Sequence, residues 1–256
     1  MSRYPLRSAV LGSGHPLVLL HAFPLSHLMW KNLQPPPGFQ LILPDFPGFG
    51  QSPLAPVGFT LLDAAESLQN NLKELGVNEP ITLGGISMGG YWALEFARQF
   101  PASLRALLLI STRAVVDKPE GRQKRLQSAE RVEEEGTGFL VDSLVPGLLG
   151  KTTMVGNKAV VQQVGDWIRE TAPQAVSLAQ RAMANRRDQN DLLPEVKVKT
   201  LVLAGREDTL SPFTEAESMT KVLPKAQLRL LDHVGHLVPL EDPKNFQKIL
   251  NEFLLP

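Results

Sequence analysis

Three side chains far apart in the chain have the right types to cleave an acyl bond together. The first is Ser87, in Gly85-Ile86-Ser87-Met88-Gly89, which fits the pattern G-x-S-x-G. Ile81-Thr82-Leu83, apolar and β-branched, precedes it, and Tyr91 to Arg98 carries apolar residues at helical spacing until Pro101. The serine is therefore predicted at a sharp strand-to-helix corner. Flanking glycines leave room there for neighbouring backbone, and unpaired N–H groups at the helix start favour negative charge growing on an attacked carbonyl oxygen.

A serine hydroxyl becomes an effective nucleophile when a base accepts its proton and a third group holds the base in one tautomer. The sequence holds five histidines. His15 precedes the first buried strand, His21 stands on the loop after it, and His27 lies in the next helical stretch. His233 and His236 both follow the last strand, in Asp232-His233-Val234-Gly235-His236. His236 is the preferred base because Gly235 lets the loop turn back over the sheet, and His233 is the alternative. For the carboxylate, Glu207 and Asp208 follow the penultimate strand. Asp208 is preferred, since a short side chain on a tight turn can be fixed by local N–H groups. Asp117 is the reserve.

These positions need a scaffold that brings strand ends together. Apolar runs predict strands at 7–11, 16–20, 39–43, 81–83, 104–110, 200–204 and 227–231. Helical patterns fall between several of them, at Ser26 to Leu33, capped by Ser26, and at Thr60 to Leu75, ended by Gly76. That alternation implies an α/β fold, a mostly parallel twisted sheet with helices on both faces and right-handed crossovers. Such sheets bind ligands outside the carboxyl ends of their strands.

Between Arg113 and Val196 the βα rhythm stops, and helices are predicted at 119–135, 139–149, 158–171 and 172–187. A helical block inserted between two late strands is expected to lie over the strand ends as a cap. The expected organisation is a core in residues 1–114, an all-helical cap in 115–196 and the rest of the core in 197–256.

The composition excludes several classes. The chain has 256 residues, 43% of them hydrophobic, with zero formal net charge and no cysteine. Neutral balance without a basic cluster argues against nucleic-acid or acidic-lipid partners. Arg122, Lys124, Arg125 and Arg131 alternate with Glu120, Glu130, Glu133, Glu134 and Glu135 and read as a solvated helix face. Lack of cysteine removes disulfides, thiol nucleophiles and cysteine-based zinc sites. The stretch from Met1 to Arg7 lacks the apolar core of a signal peptide, and no apolar run reaches the ~18 residues of a membrane helix. A cytoplasmic protein free of the membrane is the expectation, and oligomeric state is left open.

With Ser87, Asp208 and His236 in the order Ser, Asp, His, each after a strand of one sheet, the chain resembles the α/β-hydrolases. His21-Ala22-Phe23-Pro24 resembles that family's H-G-x-P oxyanion turn, with Ala22 where glycine is usual. Asp45-Phe46-Pro47-Gly48-Phe49-Gly50-Gln51-Ser52 resembles its D-x-x-G-x-G-x-S loop, with Pro47 where arginine is frequent. The resemblance implies an oxyanion hole from the backbone N–H groups of Phe23 and Met88, whose side chains would line the pocket. It also implies that Phe139, Leu144 and Trp167 of the cap contribute to an apolar acyl pocket.

A serine at the elbow separates the chain from the haloalkane dehalogenases and epoxide hydrolases of that fold, which use aspartate. The pattern is similar to small carboxylesterases and to the 3-oxoadipate enol-lactonase-like branch. It implies a serine esterase acting on small-molecule esters or lactones through an acyl-serine, with no metal or organic cofactor. Cofactor-free perhydrolase or haloperoxidase chemistry is an alternative for the same site. From a different class, a ligand sensor on the same fold is the alternative that would dispense with turnover.

Overall fold

The computed structural model describes residues 4–255. Met1, Ser2 and Arg3, part of the stretch read for a signal peptide, lie outside the described residues. The predicted apolar runs become strands β1 (Ser8–Gly12), β2 (His15–Leu20), β3 (Phe39–Pro44), β4 (Ile81–Ile86), β5 (Leu104–Ile110), β6 (Lys199–Gly205) and β7 (Ala226–Leu231). They form a sheet in the order β1-β3-β2-β4-β5-β6-β7. β1 runs antiparallel to β3, and the other neighbours are parallel. Parallel strands covered on both faces need apolar residues at every position. Leu17 to Leu20, Leu83 and Leu107 to Ile110 are accordingly fully buried.

Between the strands run α1 (Leu61–Glu74), α2 (Met88–Gln99) and α8 (Phe213–Val222), and after β7 come α9 (Val238–Glu241) and α10 (Pro243–Leu254). Helix α1 begins in a capping box: the Thr60 hydroxyl accepts from the Asp63 N–H at 3.2 Å, and the Asp63 carboxylate accepts from the Thr60 N–H at 2.9 Å. Helix α2 lies on β4 and β5, and α8 on β6 and β7.

The insertion between β5 and β6 comprises α3 (Pro119–Glu135), α4 (Phe139–Leu148), α5 (Lys151–Gly156), α6 (Lys158–Glu170) and α7 (Pro173–Ala184). α3 packs along α7, and α4 against α6. Among the described residues, no helix is long and apolar enough to cross a membrane.

Three differences from the sequence reading have physical causes. The helix expected from Ser26 to Leu33 is a single 3-10 turn, His27–Trp30. Its N–H groups bond three residues back, Met29 to Ser26 and Lys31 to Leu28, while the His27 N–H goes to Asp45 Oδ1 at 2.7 Å. Helix α5 falls outside the expected helices, in a stretch bounded by Gly150 and Gly156 with β-branched Thr152, Thr153 and Val155. It forms because two carboxylates from elsewhere cap its N-terminus: Gly150 N–H donates to Glu241 and Thr152 N–H to Glu207, each at 2.8 Å. Arg125, read as part of a solvated face, turns inward and bonds Asp117 Oδ2 at 2.6 Å.

Candidate active site

The elbow at Ser87 follows from how closely the backbone must approach itself. Ser87 has φ 55° and ψ −114°, a strained conformation for a residue with a Cβ. A Cβ on Gly85 would strike the Gly89 carbonyl, and one on Gly89 would strike the carbonyls of Leu20 and His21. Both positions therefore need glycine. The turn is tied to the neighbouring strand, with Ser87 N–H donating to Ile110 O at 3.0 Å and the Thr112 hydroxyl donating to Ser87 O at 2.9 Å.

The ladder continues across the sheet edge. Ser111 N–H donates to Leu203 O at 2.8 Å and Arg206 N–H to Leu231 O at 2.9 Å. The loops bearing Ser87, Asp208 and His236 thus leave one end of the sheet, the carboxyl ends of β4, β6 and β7. Glu207 N–H donates to Val234 O at 2.8 Å and fastens the aspartate loop to the histidine loop.

Asp208 and His236 meet directly. His236 Nδ1 lies 2.8 Å from Asp208 Oδ2, and both side chains are about as buried as any in the protein, 1% and 0% exposed. The other carboxylate oxygen, Oδ1, accepts from the N–H groups of Leu210 and Ser211, each at 2.9 Å. A carboxylate held on one side by backbone donors can only accept on the other, so Nδ1 carries the hydrogen and Nε2 is left as the acceptor. His236 Nε2 is buried, with no hydrogen-bond partner among the described residues.

The competing residues are engaged elsewhere. His233 is exposed, in left-handed conformation at φ 62°, with Nδ1 3.9 Å from Glu207 Oε1. His15 bonds Glu79 at 2.9 Å. Asp117 accepts from Arg113, Arg125 and Arg186 at 2.5–2.6 Å. Burial alone would raise its pKa, but hydrogen bonds and charge from Arg186 and Arg125 overturn that and hold the carboxyl well below the usual carboxylate range.

The turn expected to form an oxyanion hole is braced from below. His21 is fully buried, with Nδ1 2.9 Å from Ala22 O and Nε2 accepting from Phe46 N–H at 2.9 Å. Burial lowers its pKa, against the pull of Asp45. It therefore serves as a neutral strut, donor on one side and acceptor on the other. Asp45 accepts from the His27 ring at 2.7 Å and from Gln51 N–H at 3.0 Å, while Gly50 packs its bare Cα against that carboxylate. Ala22 does not need glycine's freedom: the non-glycine residues at positive φ among the described residues are Ser87, Ser111 and His233. The N–H groups of Phe23 and Met88 carry no hydrogen bond among the described residues.

The expected pocket residues do not gather in one place. Phe139 and Leu144 line a cavity of about 580 Å³ between α3 and α4, with Lys124 and Arg125 on its wall. Trp167 lines another of about 240 Å³ beside Leu25 and Phe49. Phe23 packs its ring edge-on to Phe49 at 6.4 Å, and Met88 is fully buried.

The matching of residues 15–243 to the model of the alpha/beta hydrolase fold family covers most of the chain. The chain belongs to that family. Among solved structures, this alpha/beta hydrolase is similar to a thermophilic esterase from Thermogutta terrifontis, solved with malate bound. The two are 37% identical, with TM-score 0.94, over 97% of this chain and 92% of that one. The enol-lactonase from Burkholderia xenovorans LB400 shares the fold at TM-score 0.88 and 21% identity, over 98% and 96% of the two chains. Among curated proteins, the AB hydrolase superfamily protein YisY of Bacillus subtilis is 27% identical over 95% of this chain and 92% of its own length.

Several supports of this alpha/beta hydrolase site were not singled out from sequence. Thr112 grips the elbow carbonyl, and Glu241 accepts from the N–H groups on either side of His236. Neither residue belongs to a recognisable spacing. Asp45 lay within a loop read by resemblance, but its pairing with His27, 18 positions earlier, is a tertiary contact.

Proposed function

We propose that this protein hydrolyses carboxylic esters of small molecules through an acyl-serine, with Ser87 as nucleophile, His236 as base and Asp208 as its orienting carboxylate. The observation that carries the reading is the buried Asp208–His236 pair, 2.8 Å apart, which leaves an unpartnered Nε2 at the carboxyl end of the sheet, the end that also bears the strained Ser87 elbow. Likeness to the Thermogutta esterase supports it independently.

In the forward half-reaction, His236 Nε2 takes the hydroxyl proton as Ser87 Oγ attacks the ester carbonyl. The N–H groups of Phe23 and Met88 receive the oxyanion, and His236 returns the proton to the departing alcohol. Water then attacks the acyl-serine by the same route in reverse, releasing the acid and restoring the hydroxyl. Residues 115–196 act as a cap over these strand ends. Phe23 and Met88, whose N–H groups face the oxyanion, also supply the side chains assigned to substrate contact; Phe139, Leu144 and Trp167, in separate cavities, are left out of that assignment.

The test is hydrolysis of a short-chain chromogenic ester by the wild type and by Ser87→Ala. The variant should keep the wild-type melting temperature and lose about 10⁶-fold in kcat. Turnover retained by a folded Ser87→Ala would remove Ser87 from the reaction.

A further inference from the structure

We infer that Glu241 is a positioning residue for the reaction, and that it makes placement of the His236 imidazole depend on docking of the helical insertion. The inference rests on the esterase reading for what the imidazole does, but its geometric basis is separate.

Glu241 sits at the end of α9, five residues beyond His236, and its carboxylate turns back onto the loop it has just left. Oε2 accepts from Gly235 N–H at 3.0 Å, and Oε1 from Leu237 N–H at 3.0 Å. The N–H groups of the two residues flanking His236 are therefore held by the two oxygens of one side chain. The same Oε2 accepts from Gly150 N–H at 2.8 Å and from the Thr153 hydroxyl at 2.7 Å, both in the insertion at the start of α5. Four donors from two segments 80 or more positions apart converge on one carboxylate.

The backbones at this junction touch. A Cβ on Gly235 would collide with the backbone of Gly150, and one on Gly150 would meet Gly235 N at 2.8 Å and Glu207 Oε2 at 2.7 Å. Leu237 N–H also reaches Leu148 O at 3.2 Å. A second carboxylate repeats the arrangement on the aspartate side: Glu207, next to Asp208, accepts from Thr152 N–H and from the Thr152 hydroxyl, each at 2.8 Å. The insertion segment Gly150–Thr153 is thus gripped by the neighbour of Asp208 and by the clamp around His236. None of these contacts reaches Ser87, so displacement of the segment would move the base relative to the nucleophile.

The consequence is a specific pattern of kinetic loss. An imidazole displaced by about 1 Å costs on the order of 10²-fold in turnover. Glu241→Gln keeps one acceptor oxygen and replaces the other with a donor, which cannot serve a flanking N–H. Thr153→Val keeps volume and removes one donor of the insertion while leaving the His236 loop untouched.

The experiment measures kcat and KM on a short-chain chromogenic ester for the wild type, Glu241→Gln and Thr153→Val, each shown folded by circular dichroism. The low-field ¹H NMR signal of the imidazole Nδ1–H is recorded alongside. The expected result is a fall of about 10–100-fold in kcat for Glu241→Gln, with KM changed less than threefold and the imidazole signal shifted or lost. Thr153→Val should lower kcat by a smaller factor in the same direction. Wild-type kcat in a folded Glu241→Gln, or a lowered melting temperature with kcat and imidazole signal unchanged, would overturn the positioning role. Loss in Glu241→Gln with wild-type kcat in Thr153→Val would overturn the coupling to the insertion. Should Glu241→Gln fail to fold, Thr153→Val with unchanged kcat and imidazole signal overturns the proposal. A wild type that turns over no ester would instead strike the esterase reading, and the imidazole signal would still report whether Glu241 and Thr153 place His236.

Discussion

The serine side of the site and its histidine side are built on different principles. Ser87 is fastened by the sheet: its N–H extends the β4–β5 ladder, Thr112 holds its carbonyl, and glycines let α2 press against β2. The adjoining turn at Ala22 and Phe23 is braced within the core by His21, Asp45 and His27. His236, by contrast, stands on a loop past the last strand, at a sheet edge with β6 as its single neighbour. Its support comes from side chains: Asp208 on the ring, Glu241 on the flanking peptides, and through Glu241 the insertion. A proposed nucleophile fixed by the fold and a proposed base fixed by a removable set of contacts leave His236 as the adjustable half.

That contrast can be broken at either end. The largest effect expected after loss of Ser87 itself is from Asp208→Asn. The amide oxygen can still accept from Leu210 and Ser211, so the turn survives, but the amide then presents a donor to Nδ1 and favours the wrong tautomer. Turnover should fall about 10⁴-fold without loss of fold, read as kcat alongside a melting curve. On the serine side, Asp45→Ala should show the reverse pattern. It removes the buried carboxylate that pairs with the His27 ring and accepts from the part-buried N–H groups of His27 and Gln51, and should cost about 3 kcal/mol of stability, seen as a melting temperature lower by roughly 10 °C.

A subtler version of the same test uses pH. The Asp45 hydrogen bond raises the pKa of His27 above its ordinary 6.5, against the effect of burial. For Asp45, burial favours a higher pKa than its ordinary 3.8, but the hydrogen bond from His27 and the N–H groups of Gln51 and His27 outweigh it and lower the value. A group with a raised folded pKa stabilises fully below its unfolded value and loses that stabilisation as pH rises through the folded one; for the lowered Asp45 the loss comes on acidification. The pair should therefore contribute most between about pH 4 and 6.5. The melting-temperature gap between wild type and His27→Ala should be widest there and narrow above it. The smallest effect is expected from Thr152→Val, which removes one of two Thr152 bonds to Glu207 at a half-open position. It should change kcat by less than about threefold, since exposed polar contacts contribute about 1 kcal/mol or less.

How much of this was legible in the chain follows the same division. The inner strands are legible because buried parallel strands leave unbroken apolar runs, and the preference for Asp208 over Glu207 rests on a tight turn whose N–H groups reach its carboxylate. His236 was separated from His233 by the turn at Gly235, and the structure puts His233 in solvent. Contacts without a sequence period stayed hidden. Helix α5 has poor intrinsic propensity and depends on Glu207 and Glu241, more than 50 positions away. The inward turn of Arg125 depends on Asp117, and no helical pattern reveals a salt bridge to a residue before the helix begins. The cap side chains assigned to a single pocket were chosen for apolarity alone, and they line separate cavities.

The most direct measurement of the central claim is the mass of the intact protein, followed by peptide mapping, after reaction with a small phosphonate ester that mimics the tetrahedral intermediate. One phosphonyl group per chain, on Ser87 and absent from Ser87→Ala, is the predicted result. An unmodified protein, or a label on another residue that persists in Ser87→Ala, would contradict the assignment of Ser87 as an activated nucleophile.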